Sequence, residues 1–170
     1  MRLLKINMVK LHLAYTGPIN PAGATPVLTQ KQVWAGLQRK IRFAQEFVPV
    51  IQDCKVLSDE HGVVTRDVIF KPGVGPKEKA REIVTGYGNA WVDFQQEDGS
   101  IVKNIISDGA SGEAKDLHMT YAFEFNFPNV EEGSEEAEEQ MKKLKGTSKM
   151  AVEKSIETIR HMVIDGRIKE

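Results

Sequence analysis

Leu117-His118-Met119-Thr120-Tyr121-Ala122-Phe123-Glu124-Phe125-Asn126-Phe127 alternates with a period of two. Leu117, Met119, Tyr121, Phe123, Phe125 and Phe127 fall on one face, and His118, Thr120, Glu124 and Asn126 on the other. That pattern predicts a strand whose aromatic face has to be covered, by a helix or by a ligand. The chain after it supplies the helix. Ser134 is a candidate N-cap, and Glu135, Glu136, Glu138 and Glu139 occupy the first turns, where the helix dipole favours anions. Ala137, Met141, Leu144, Ser148, Val152, Ile156, Ile159 and Met162 then recur by threes and fours. The stripe runs for about thirty residues, roughly 45 Å at the helical rise. Gly146-Thr147-Ser148 predicts a bend within it.

Upstream of this pair the chain reads mostly as strands. Lys5–Tyr15 alternates, and Thr16–Thr25 is a loop rich in Pro and Gly. Thr29 is placed to cap a helix over Gln30–Phe47, broken near Arg42 and ended by Pro49. Ile51–Leu57 and Val63–Lys71 flank the turn Asp59-Glu60-His61-Gly62. A second loop holds Pro72, Gly73, Gly75 and Pro76. Lys79–Tyr87, Ala90–Gln96 and Ile101–Ser107 follow, with Asp98-Gly99 suited to a type I′ turn. Hairpin-linked strands imply an antiparallel sheet, and the terminal helix is the element long enough to cover it. The expectation is an α+β fold, a curved seven-stranded antiparallel sheet wrapped round one long C-terminal helix, with one or two short helices after the first strand. An apolar cavity between sheet and helix is the usual form of a small-molecule site.

Composition narrows the function classes. The chain has 170 residues, 23 Lys+Arg against 24 Asp+Glu, and 41% apolar residues. One domain over residues 1–170 accommodates that length. Balanced charge argues against a nucleic-acid footprint. No apolar run is long enough for a membrane span, and the start Met1-Arg2-Leu3-Leu4-Lys5 has no signal-peptide core. The lone Cys54 excludes an internal disulfide. Together these predict a cytoplasmic protein. His12, His61, His118 and His161 are scattered without ligand spacing, so no metal is expected. Neither a dinucleotide nor a phosphate-loop motif is present, and no cofactor is expected.

Several stretches carry a family resemblance. They are Pro18-Ile19-Asn20-Pro21, Leu28-Thr29-Gln30-Lys31-Gln32-Val33-Trp34-Ala35-Gly36-Leu37, and Phe47-Val48-Pro49 with Cys54-Lys55-Val56-Leu57. Val64-Thr65-Arg66-Asp67-Val68, Asn104-Ile105-Ile106-Ser107 and Gly133-Ser134-Glu135-Glu136 belong to the same set. Across essentially the whole length the chain resembles the AtaL-like family of the START/Bet v1-like (SRPBCC) helix-grip superfamily. The resemblance implies a hydrophobic or aromatic ligand in the internal cavity, held by a carrier or by a cofactor-free cyclase, aromatase or isomerase. It also implies a link to secondary metabolism. It supplies no catalytic motif.

The candidate residues come from strand phase. Arg66 alternates with Val64 and Val68, and Glu82 with Ala80 and Val84. A guanidinium at a cavity wall can hold an oxyanion, and a buried carboxylate can act as a base. The alternative is that the two simply pair. Arg81 is in phase with Ile83, so only one of Arg81 and Glu82 faces in. Arg66, Glu82 and Tyr121 are the candidate catalytic groups. Leu13, Tyr15, Arg66, Val68, Phe94, Asn104, Tyr121, Phe123 and Phe125 are the candidate ligand contacts. Cys54, in phase with Val56, reads as a buried, inert thiol. The loops Pro18–Pro26 and Pro72–Pro76 are the expected cavity mouth. Two functional classes compete with a third. A carrier needs only the cavity. A cofactor-free cyclase or isomerase also needs converging acid–base groups. An interaction module would use an exposed patch at Trp91.

Overall fold

The computed structural model describes residues 8–73 and 78–169. Within them the chain forms β1 (Met8–Pro18), α1 (Gln30–Arg42), a 3-10 turn (Ala44–Glu46), β2 (Ile51–Glu60), β3 (Val63–Phe70), β4 (Lys79–Tyr87), β5 (Trp91–Gln96), β6 (Ile101–Asp108), β7 (Leu117–Glu131) and α2 (Glu135–Ile164). The strands make one seven-stranded sheet in the order β1-β7-β6-β5-β4-β3-β2, antiparallel at every pairing. The helix-grip expectation is met: a curved sheet, one long C-terminal helix and a short helix after the first strand. Lys5–Asn7, the start of the expected first strand, and residues 74–77 of the second Pro/Gly loop lie outside the described residues.

Local chemistry explains the element ends. Thr29 and Gln32 form a reciprocal capping box at the start of α1. The helix stops at Arg42 and tightens into the 3-10 turn, where the sequence places a break. Glu60 pairs with Val63 across His61-Gly62, both at positive φ (53° and 78°), which is a two-residue type I′ turn. The second hairpin departs from expectation. Of Asp98 and Gly99 only Gly99 has positive φ, and its N–H donates to the Gln96 carbonyl. That is a type I turn closed by a glycine bulge rather than type I′.

α2 also departs from expectation. It runs unbroken for 30 residues through Gly146. The hydroxyls of Thr147 and Ser148 donate back to the carbonyls of Lys143 and Lys145, bonds that Ser and Thr make without leaving a helix. Its buried side chains include Val152, Ser155, Ile156, Ile159 and Met162. They pack with Leu37 of α1, Val84 and Val92 of the sheet, and Met119 and Tyr121 of β7 in one core. A smaller cluster joins Val9 and Leu11 to Val130 and Ala137. Tertiary packing extends β7 to Glu131, four residues past the alternating run.

β2 is the exposed edge, with Ile51 its one fully buried residue. Cys54 is therefore half-buried rather than buried, and Val56 is exposed.

Candidate ligand cavity

The inward face of α1 sets the site. Val33, Leu37 and Ile41 point into the core at helical spacing, and Lys40, three residues after Leu37, points the same way. Lys40 is only 7% exposed. Its Nζ donates to Asn104 Oδ1 at 3.0 Å and to the Tyr121 hydroxyl at 2.8 Å. It also lies 4.3 Å from the centre of the Tyr121 ring and 5.8 Å from that of Phe94. Such a cation–π contact offsets part of the cost of a buried charge. Burial is the largest influence on this amine, the nearby Arg66 charge acts in the same direction, and Glu82 opposes them. The result is a lysine brought down to about 7. Burial drives the Tyr121 phenol the other way, upward, and a hydrogen bond with Ser155 opposes that rise. Tyr121 is thus a neutral hydroxyl across the physiological range. Asn104 is fully buried, its Oδ1 is taken by Lys40, and among the described residues its Nδ2 has no hydrogen-bond partner.

Arg66 supports this cluster from behind. Its Nη1 donates to the carbonyls of Lys40 and Ile41 at 2.9 and 2.6 Å, capping the last turn of α1 with the sign that a helix C-terminus prefers. Its Nε and Nη2 both donate to Glu82 Oε2, at 2.9 and 2.6 Å. Gln96 donates to the other Glu82 oxygen at 3.0 Å. The guanidinium stacks over Phe94 at 5.0 Å. Every charge in this buried pair is answered, as its burial requires.

Lys40 and Ser155 line a cavity of about 660 Å³ between α2 and the loop after the 3-10 turn. Phe47, Val48, Pro49 and Val50 form one wall, and Met150 and Ala151 lie on the other. The lining surface is mostly apolar, exposed Glu153, Lys154 and Glu157 also border it, and Lys40 is the member of the polar cluster that reaches it.

The expected site residues divide. Asn104, Tyr121, Phe94 and Arg66 are gathered round Lys40. Glu82 faces inward, where it pairs with Arg66, while Arg81 faces out to Asp67. Tyr15 donates to Glu153 Oε1 at 3.2 Å, and Glu153 borders the cavity. Val68 packs elsewhere, with Ala44 and Ile51. Leu13 and Phe123 border a different pocket of about 440 Å³ with His12, Ala14, Lys103 and Glu124. Phe125 stacks on Phe123 at 5.4 Å. None of the nine expected ligand contacts is in the lining of the Lys40 cavity, which comes from the end of α1, the Phe47–Val50 loop and one face of α2, whereas the expected residues all lie on strands. The mouth also moves. Pro18 and Pro21 border a separate pocket with Arg160, and the Lys40 cavity opens beside Phe47–Val50 instead.

Sequence reasoning passes over Lys40 and Ser155. The signal for Lys40 is a cation within the apolar stripe of α1, and for Ser155 a small polar residue in the stripe of α2. Trp91 stacks on Tyr87 at 5.4 Å, and the two residues are 40% and 41% exposed. Among the described residues no group of three or more His, Cys, Asp or Glu side chains is close enough together to hold a metal ion. Among the same residues, no helix is long and apolar enough to cross a membrane.

Comparison with known proteins agrees with this fold. The solved structure of norcoclaurine synthase from Thalictrum flavum, in complex with dopamine and hydroxybenzaldehyde, superposes with a TM-score of 0.65. It is 12% identical, over 95% of this chain and 91% of that one. The Zhui aromatase/cyclase from Streptomyces sp. R1128 gives 0.63 at 12% identity, over 91% and 96% of the two chains. At such identities the likeness is one of fold. A nearer relative is acetylaranotin biosynthesis cluster protein L of Aspergillus terreus (strain NIH 2624 / FGSC A1156), 28% identical over 161 residues and 94% of each chain. The family model described as AtaL, acetylaranotin biosynthesis cluster protein L, matches residues 13–166. The chain belongs to the AtaL family, a biosynthesis-cluster branch of the helix-grip fold.

Proposed function

We propose that the protein binds an apolar or aromatic small molecule, an intermediate of secondary metabolism, in the cavity between Phe47–Val50 and α2. The observation that carries this reading is a mostly apolar void of about 660 Å³ whose lining includes Lys40, an amine held from behind by Asn104 and Tyr121. The apolar wall takes the body of the ligand. Lys40 takes its polar end. The family's biosynthetic naming supports the same class of ligand.

The test is a fluorescence titration with 2-naphthol, comparing the wild type with Ala151→Trp, which puts an indole into the cavity wall. Saturable binding that weakens at least tenfold in the variant is expected, about the effect of occluding an apolar subsite. Equal binding by both proteins removes this cavity from the reading.

One observation favours a second reading, a cofactor-free cyclase or isomerase. A lysine near 7 is half protonated at neutral pH and can give or take a proton there. Tyr121 is a neutral hydroxyl within hydrogen-bond reach of it. Solvent-deuterium exchange at the acidic carbon of 2-tetralone, followed by NMR, separates the two. A rate at least tenfold above that of Lys40→Met supports catalysis, in the range that a placed acid–base group supplies. Equal rates leave a carrier.

A further inference from the structure

We propose that Lys40 is a nucleophile that forms a Schiff base with an aldehyde or ketone carbon of the molecule held in the cavity, which makes the ligand class a carbonyl compound. This rests on the cavity reading above and goes past binding to a covalent step.

Three independent features place such chemistry at Lys40. The amine is the cavity's buried cation, and it lies beside another cation, Arg66, whose guanidinium is fixed on the carbonyl of Lys40 itself. Desolvation and a neighbouring positive charge are the two means by which proteins free a lysine lone pair. The hydrogen-bond count then fits the neutral amine. Its two N–H groups are matched by Asn104 Oδ1 and the Tyr121 oxygen, which leaves the lone pair unspent. Finally, the same Asn104 amide carries a buried Nδ2 with no partner. An unsatisfied donor is costly in a core, and this one sits on the amide that already accepts from the amine, which makes it the donor next to Nζ for an oxygen on the carbon under attack.

The step balances without an external reagent. The lone pair of Nζ adds to the carbonyl carbon, and a proton passes from nitrogen to oxygen to give a carbinolamine. The carbon–oxygen bond then breaks, the oxygen leaves as water after taking a proton, and the carbon–nitrogen double bond forms. Tyr121, 2.8 Å from Nζ, is the hydroxyl nearest to that oxygen's departure. Nothing is oxidised or reduced. A bound iminium would also acidify the adjacent carbon, which is the chemistry that a cyclisation or isomerisation of a carbonyl compound requires.

The experiment is trapping with borohydride. Wild-type protein is incubated with 2-naphthaldehyde at pH 7, reduced, digested and mapped by mass spectrometry. Lys40 should carry the reduced adduct at least tenfold faster than any other lysine, because surface amines remain protonated at this pH. Saturating 2-naphthol and Ala151→Trp should each suppress it. If 2-naphthol binds in the cavity but Lys40 acquires no adduct, the Schiff base is overturned and the binding reading stands. If neither 2-naphthol binding nor an adduct is found, both fall. An adduct spread evenly over the surface lysines, or one on Lys40 that ignores 2-naphthol and Ala151→Trp, overturns the proposal too.

Discussion

Lys40 is in tension with the fold that holds it. An amine whose ordinary value is 10.5 is brought down to about 7, and each pH unit of such displacement corresponds to about 1.4 kcal/mol. Between those values the unfolded chain binds a proton that the folded chain does not, so this group makes stability rise with pH from about 7 towards 10. Below pH 7 the full cost of burying the charge is present. Lys40→Met should therefore raise stability at pH 6 by about 1–3 kcal/mol, less whatever Asn104 and Tyr121 lose as partners. The gain should shrink as pH approaches 10. Urea denaturation of both proteins across that range checks the sign, and a gain that grows with pH would contradict it. Arg66 shows the opposite case. Arg66→Met strands buried Glu82 and uncaps α1, and should cost about 3–5 kcal/mol. Arg66→Met combined with Glu82→Leu should recover much of that loss in the same assay. The sequence shows by phase that Arg66, Glu82, Asn104 and Tyr121 face inward. It does not show which of them meet, because their partners come from α1, β6 and β7, far apart along the chain.

At the scale of elements, two glycines make opposite demands. A Cβ on Gly36 would collide with the Ile159 side chain, because α1 and α2 approach closely there. Gly36→Ala should lose about 1–3 kcal/mol despite its better helix propensity, the cost of overpacking. Gly36→Ala with Ile159→Val should regain part of it. A methyl group added at Gly146 in α2 would meet nothing within 4 Å, and Gly146→Ala should gain about 0.5–1 kcal/mol. Thermal melts of the three variants decide both points. The same glycine shows how far element reading reaches. Strand phases and helix caps are legible because they are local, as with Thr29, Ser134 and the His61-Gly62 turn. The continuity of α2 at Gly146 is not, because it rests on packing of the helix on either side, Ala137 against β1 and Val152 to Met162 against the core. Lys40 escapes notice for a related reason. A lysine in an amphipathic helix is ordinarily read as solvent-facing, and only its phase with Leu37 and Ile41 says otherwise.

For the molecule as a whole, α2 and the Phe47–Val50 loop leave a void between them, and α1 introduces a cation into its wall. The order of elements makes the sheet, the long helix and the prospect of a cavity legible. The position of the cavity is not, because it depends on how the Phe47–Val50 loop lies against the middle of α2, a contact between distant segments. Norcoclaurine synthase and the Zhui aromatase/cyclase share the frame, but a frame hosts many chemistries, and the choice among them lies with the residues in the wall. The measurement that tests this account most directly is NMR of lysine-labelled protein, following the Lys40 Nζ environment through a pH titration with and without 2-naphthol. One lysine should show a midpoint near 7 that shifts when the probe binds, while the surface lysines stay unmoved. A Lys40 midpoint near the ordinary value of 10.5, with no response to the probe, would contradict it.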